Sequence, residues 1–456
     1  MIRHLSALFL AAVLVTPLPV MAQSLADTFV AAYRNSNLLD QNRALLRAAD
    51  EDVAIAVASL RPVVNFATSI QGRTQTGAGA SSLSLSFNLS ADVTLIDFGR
   101  GNLAKEAAKA QVLATRQALV NVEQQVLFNA VSAYMDVRTA TEAVLLQQAT
   151  VRVITRELGA ARERFELGEV TRTDVSLAEA RLAAARSQLA ASEGDLAAAR
   201  EGYKLVTGSY PRSLRAAPAL PRTAASLQAA QDIARRTHPN IMQAQFEVTA
   251  AEMNAERVAA QRHGSVTGSA GIGQSFSSAT NDTTSLTAGI TYARPIYQGG
   301  QLRALSRQAL ARRDASRAGL HQTVAQVLQN VGLAWANLDV TRARISASRQ
   351  QVAASQSAFE GTREEARLGA RTTLDVLNAE NDLLNARTTL LQAEAGLQTA
   401  TYNLLASMGL LTVDHLGLGI TTYDPEAYYN AVKDAPALSA QGEALDRVLR
   451  ALNKSE

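Results

Sequence analysis

The 456-residue chain contains no cysteine. Disulfides, a thiolate nucleophile, Cys-ligated zinc, an iron–sulfur cluster and a lipidated N-terminal cysteine are therefore all excluded. Aromatic residues make up 5% of the chain, with a single Trp, which is sparse for a globular core of this length. The ten prolines are unevenly spread, with none between Val63 and Tyr210 and none between Ile296 and Asp424. Neither charge sign dominates: 44 Lys+Arg oppose 41 Asp+Glu, a balance of +3, so no nucleic-acid footprint is expected. Long apolar runs are missing after the N-terminus. A mean hydropathy of −0.02 excludes a polytopic helical membrane protein. What remains is an Ala-rich, 19%-charged chain, the composition of long helices packed through small side chains.

Residues 1–22 read as an export signal. Arg3 and His4 supply a short positive segment, and Leu5–Val15 an apolar stretch too short to span a bilayer as a helix. Pro17 and Pro19 break that run before Val20-Met21-Ala22, which predicts cleavage ahead of Gln23. A buried N-terminal helix is the alternative.

The remainder is one unit used twice. Leu167-Gly168-Glu169-Val170-Thr171-Arg172-Thr173-Asp174-Val175 returns 201 residues later as Leu368-Gly369-Ala370-Arg371-Thr372-Thr373-Leu374-Asp375-Val376. Ile96-Asp97-Phe98-Gly99 returns as Ile296-Tyr297-Gln298-Gly299 at an offset of 200, and Ser24-Leu25 as Ser226-Leu227 at 202. Near-constant spacing over most of the chain indicates duplication. The expected order in each repeat is a short helix, two strands, a very long helix, a turn and a second long helix. Repeat 1 covers 23–222, with strands at about 62–72 and 83–97 and helices at about 102–166 and 173–207. Repeat 2 covers 223–424, with strands at about 264–276 and 285–297 and helices at about 302–367 and 373–407. A separate tail, 425–456, follows.

The shorter of the long helices carry a heptad pattern. Val175, Ala178, Leu182, Ala185, Leu189, Ser192, Leu196, Ala199, Tyr203 and Val206 alternate by three and four, as do Val376, Ala379, Leu383, Ala386, Leu390, Ala393, Leu397, Ala400 and Leu404. A sustained seven-residue repeat demands a left-handed supercoil. In the first helix Leu177, Ala184, Ala191 and Ala198 form a second seam, which would give the helix a neighbour on each side, as in a cylinder of staves. The corresponding row of the other helix, Asn378, Asn385, Gln392 and Thr399, is polar, so a single broad bundle-type face stays open as an alternative.

Between Leu83 and Leu95 thirteen positions alternate apolar and polar without an error, a strong strand signal. Four such strands with one apolar and one polar face suit a tilted membrane barrel with a wet interior. A soluble sheet packed on helices is the alternative. Four strands cannot close, and an open edge cannot sit in lipid with its N–H and C=O groups unpaired. A membrane reading therefore requires several copies.

Catalytic motifs are missing. His4, His238, His263, His321 and His415 are scattered, and the glycine-rich run Gly268–Gly273 sits inside a strand and opens no helix. No enzyme activity, cofactor or metal site is expected. Thr171-x-x-Asp174 and Thr372-x-x-Asp375 read first as capping boxes, and Gly168 and Gly369 as glycine C-caps of the preceding helices. Their position adds a second reading. At the tips of two helical hairpins repeated around an axis, Asp375 would make an acidic constriction.

In the duplicated pattern and in Phe165-Glu166-Leu167-Gly168, Arg367-Leu368-Gly369 and Pro295-Ile296-Tyr297-Gln298-Gly299-Gly300, the chain resembles the TolC-like family of outer-membrane efflux and secretion channels. The resemblance implies a mixed α/β membrane protein, predominantly helical. Its homotrimer would form a 12-stranded outer-membrane β-barrel continuous with a 12-helix periplasmic α-barrel. It implies passive exit across periplasm and outer membrane for a tripartite efflux pump or type I secretion system. The implied partners are a periplasmic adaptor, an inner-membrane transporter and outer-membrane lipid. By the same resemblance Leu167, Gly168, Leu368 and Gly369 contact the adaptor. Asp375 and Asn378 line the constriction, Asn378 replacing a second acidic residue. Arg371, Thr173 and Asp174 hold the closed state, with Ala366 in place of an assisting tyrosine. The competing expectation is a non-channel periplasmic coiled-coil adaptor or structural protein.

Overall fold

A computed structural model describes residues 22–74, 81–278, 281–434 and 447. The export signal, apart from Ala22, and most of the 425–456 tail lie outside the described residues.

Each repeat opens with two helices where the sequence suggests one. These are α1 (Leu25–Asn35) and α2 (Asn37–Ala58) in repeat 1. The break comes at Ser36, whose side chain leaves the helix to accept a hydrogen bond from the Leu39 N–H. Strands β1 (Val63–Thr74) and β2 (Ser81–Ile96), then helices α3 (Arg100–Glu166) and α4 (Arg172–Thr207), complete the repeat. In repeat 2, α5 (Leu227–Thr237) and α6 (Pro239–Ala260) are split at His238, because the proline that follows disfavours helical backbone before it. Then come β3 (Ser265–Ser277), β4 (Thr283–Ala293), α7 (Gln301–Arg367) and α8 (Thr373–Ser407). A short α9 (Pro425–Val432) lies in the tail. Helices α3 and α7 have 67 residues each, roughly 100 Å at about 1.5 Å per residue.

The strands form one antiparallel sheet in the order β1-β2-β3-β4, with β2 and β3 joining the repeats. Its register sorts the residues cleanly. Phe66, Leu89, Ile272 and Leu286 stand opposite one another in one rung, and Val64, Ala91, Ala270 and Ala288 in another. The opposite face carries Asn65, Ser90, Gly271 and Thr287, then Ser69, Ser86, Ser275 and Thr283. Both β1 and β4 are exposed along their whole length, and each lacks a strand partner on its outer edge among the described residues.

Near the sheet the helices pack in the sequence α2–α3–α6–α7, and further away as α4–α3–α8–α7. The main core lies between these levels, where α1, α5 and the inter-repeat linker wrap the long helices. Phe29, Tyr134, Tyr203, Val331, Leu404 and Met408 are buried there. The Tyr134 hydroxyl donates to the Arg215 carbonyl (2.7 Å), and Tyr203 shares a hydrogen bond with Thr28 (2.9 Å). Each thus finds the polar partner that a buried tyrosine needs. Every position of the α4 heptad row is buried or half-buried, whereas Leu177, Ala184, Ala191 and Ala198 are exposed in the single chain. On α8 the rows differ: Leu377 and Glu380 are buried in addition to the heptad positions, while Asn378, Asn385 and Gln392 are exposed.

Candidate functional site

The two hairpin tips use the same local chemistry. Helix α3 ends at Gly168 (φ 75°) and α7 at Gly369 (φ 80°), each in the left-handed region where a side chain would be strained. The chain turns at once, leaving Leu167 75% and Leu368 78% exposed at the extremity. Thr171 then accepts from the Asp174 N–H, and Asp174 Oδ2 accepts from the Thr171 N–H (2.9 Å) and hydroxyl (2.8 Å). Thr372 and Asp375 repeat the arrangement at 3.0 and 2.8 Å. Hydrogen bonds from the Thr372 backbone and side chain hold the Asp375 carboxyl below its ordinary range, and Arg371 adds to the effect. The backbone and side chain of Thr171 do the same for Asp174. Both cap bonds fall on Oδ2 of Asp375, so capping leaves Oδ1 outside the box and does not conflict with the second reading of that residue.

The expected lock residues are not brought together within one chain. Arg371 Nε donates to Glu365 Oε2 at 2.9 Å on its own hairpin, and Thr173 and Asp174 stay on the other. Asn378 does not simply face open space; its Oδ1 accepts from Arg181 at 3.1 Å, tying α8 to α4. The hairpins are joined by apolar packing, with Leu377 of α8 set among Ile154, Leu158 and Leu182, and by arginines that local pattern did not mark. Arg164, at the end of α3, donates to the Ala366 carbonyl (3.4 Å) and the Thr373 hydroxyl (3.3 Å). Arg363 of α7 lies 3.7 Å from Glu157 of α3. Buried Glu380, its carboxyl pushed up by desolvation, lies between α8 and α3.

Comparing the repeats supplies the signal that was overlooked. At an offset of 201, Arg164 matches Glu365, Val170 matches Arg371, Leu177 matches Asn378 and Arg181 matches Asp382. Each of these duplicated positions changed charge or polarity, and Arg164, Arg371, Asn378 and Arg181 all make contacts across or within the tips.

Only two strand residues are charged, Arg73 and Asp92, and both lie on the polar face of the sheet. Among the described residues no cluster of three or more His, Asp or Glu side chains is arranged to hold a metal, and no helix is long and apolar enough to cross a membrane.

Known proteins match this architecture along nearly its full length. The family described as outer membrane efflux protein matches residues 30–209 and again 214–410, once per repeat. The outer membrane efflux protein BepC of Brucella suis is 34% identical over 438 residues, covering 94% of each chain. The outer membrane protein TolC of Vibrio cholerae is 24% identical, covering 89% of this chain and 94% of its own. The crystal structure of CusC superposes with a TM-score of 0.75 at 23% identity, over 85% of this chain and 92% of that one. Two family matches, a relative above 30% identity along almost the whole chain and a shared fold agree. The chain belongs to the outer membrane efflux protein family and is a passive channel, not an enzyme.

Proposed function

We propose that three copies close their sheets into a 12-stranded barrel in the outer membrane, with a 12-helix periplasmic tunnel below it. The observation that carries this reading is the sheet: one apolar face, one polar face and two unpaired edges. A bilayer leaves no other satisfactory state for such edges. The exposed Leu177-Ala184-Ala191-Ala198 seam gives α4 a surface for a neighbouring copy. A lone periplasmic coiled coil or adaptor would have no use for the lipid-type rungs. Detergent-dependent solubility with the mass of a trimer is the expected result; a detergent-free monomer would overturn the assembly. Cleavage before Gln23 is part of this reading; Gln23, whose N–H bonds the Ser213 carbonyl (2.8 Å), would then begin the mature chain already tied into the fold.

The exposed tips, with Leu167, Gly168, Leu368 and Gly369, are proposed to meet a periplasmic adaptor coupled to an inner-membrane transporter. Opening then means splaying the hairpins. Arg371 with Thr173 and Asp174 of an adjacent hairpin, together with Arg164 and Arg181, would resist it. Arg371→Ala and Arg164→Ala should each raise single-channel conductance in planar bilayers. Unchanged conductance and open probability in both would remove these contacts from gating.

Asp375 is proposed to face the constriction, with Asn378 leaving the ring less acidic than two carboxylates would. Asp375→Asn keeps a side-chain acceptor for the cap while deleting the charge. Blockade by multivalent cations should weaken markedly, with folding intact. An unaltered blocking affinity would place Asp375 away from the ion path.

A further inference from the structure

At the corner where β4 turns into α7, a cavity of about 720 Å³ opens between the end of α6 and the start of α7. Four guanidinium groups line it, those of Arg262, Arg294, Arg303 and Arg307, and no carboxylate does. Arg262 donates to the Ala259 carbonyl at 2.9 Å, and none of the four forms an ion pair among the described residues. Like charges gathered without a counter-charge repel, so the corner gains free energy from any anion that sits among them.

The first repeat shows how the same corner looks without this feature. There Asp97 supplies the negative charge itself, accepting from the Gly99 N–H (3.0 Å) and the Gly101 N–H (2.5 Å) at the start of α3. In repeat 2 the matching residue is Tyr297, which is 86% exposed, and α7 begins with no side-chain cap. At the same offset of 200, Arg294, Arg303 and Arg307 stand where repeat 1 has Thr94, Leu103 and Ala107. Residues 94–107 of repeat 1 balance Asp97 and Glu106 against Arg100 and Lys105, whereas 294–307 carry three arginines and no carboxylate, at a helix start whose free N–H groups also favour an anion.

Apolar surface lies beside the charge. Ile296, 96% exposed, lines the cavity, and the groove lies directly below the exposed apolar row Leu286, Ile290 and Tyr292 of β4. Arginines under a lipid-facing strand end, with an aliphatic side chain and tyrosines at the same level, match an amphiphile with a phosphate head rather than a free ion. We propose that this groove binds the phosphate headgroup of an anionic phospholipid in the leaflet facing the helical part of the channel.

The test uses the full-length assembled channel, exchanged into nanodiscs of phosphatidylcholine with or without phosphatidylglycerol, then returned to detergent for native mass spectrometry. Wild type should retain phosphatidylglycerol over phosphatidylcholine by about tenfold, and Arg303→Gln/Arg307→Gln should lose that preference, as expected for charge-assisted phosphate contacts. Leu103→Gln/Ala107→Gln at the repeat 1 corner should leave it unchanged. Absence of a preference in wild type, which needs no variant to fold, would overturn the proposal. So would displacement of the lipid by millimolar inorganic phosphate, which marks a free-anion site. A double variant that weakens the assembly equally in both lipid mixtures, with retention unchanged, would assign the arginines to a neighbouring copy and also overturn it.

Discussion

Leu89→Arg should prevent the protein from accumulating as an assembled channel in the outer membrane, whereas Ser90→Arg, one residue along, should leave assembly intact. Leu89 stands between Phe66 and Ile272 in the middle rung of the apolar face, and Ser90 between Asn65 and Gly271 on the polar face. An arginine at the bilayer midplane of a barrel costs about 2–4 kcal/mol. In the proposed trimer three copies each carry the substitution, so the assembly would lose roughly 6–12 kcal/mol, comparable to the whole stability of an ordinary domain. On the polar face the guanidinium meets water, and the expected change is in ion selectivity and conductance. Unheated electrophoresis of outer-membrane fractions reads the first effect and planar-bilayer recording the second. Equal tolerance of both variants would mean that neither face meets lipid, leaving a soluble sheet packed on helices.

Features with a local period were readable from sequence. The alternation from Leu83 to Leu95 gave β2, and because strand faces alternate strictly it also gave the two environments. The Thr171 and Thr372 boxes, with Gly168 and Gly369, marked both tips because capping is chemistry between residues three or four apart. The break at His238 had a visible cause in Pro239, but the one at Ser36 depends on a single side chain choosing the backbone over solvent. Contacts across hairpins left no local trace. Arg164 reaches Ala366 and Thr373, about 200 positions away, and nothing in its own helix distinguishes it from Arg156 or Arg162. The resemblance directed attention to Arg371, whose partner within the chain is Glu365. The register between repeats marks Arg164 by a reversal of charge at Glu365, where Arg162 keeps an arginine at Arg363 and Arg156 meets a neutral Ser357. One further signal was local and missed: Leu46, Asp50 and Val53 share one helix face, which places a carboxyl in an apolar row.

That carboxyl gives the other large expected effect. Asp50 is 0% exposed, lying between α2 and α3 beneath the start of the tail. Neither oxygen has a hydrogen-bond partner in the protein. Burial pushes the group up to about 6; Arg116 opposes the shift and Glu51 adds to it. Arg116 is engaged elsewhere, with Glu426 at 3.3 Å and the Tyr429 ring. Because the folded value lies above the unfolded one of about 3.9, the native state holds this proton more tightly. Stability from this site is therefore greatest in acid, falls as pH rises from about 4 to 6, and stays low above. The penalty of the ionised form is about 3 kcal/mol at 1.36 kcal/mol per unit. Asp50→Asn should thus raise the melting temperature by several degrees at pH 7.5 and make no difference near pH 4. The wild-type acid profile alone cannot isolate this effect. Burial depresses His238 to about 4, so His238 loses stability as pH falls below 6.5, against the Asp50 trend. The difference between Asp50→Asn and wild type, followed across pH, cancels the histidine. An asparagine variant that melts lower at pH 7.5, or a difference that ignores pH, would show that Arg116 matches the Asp50 charge and that the carboxylate supports the docked tail.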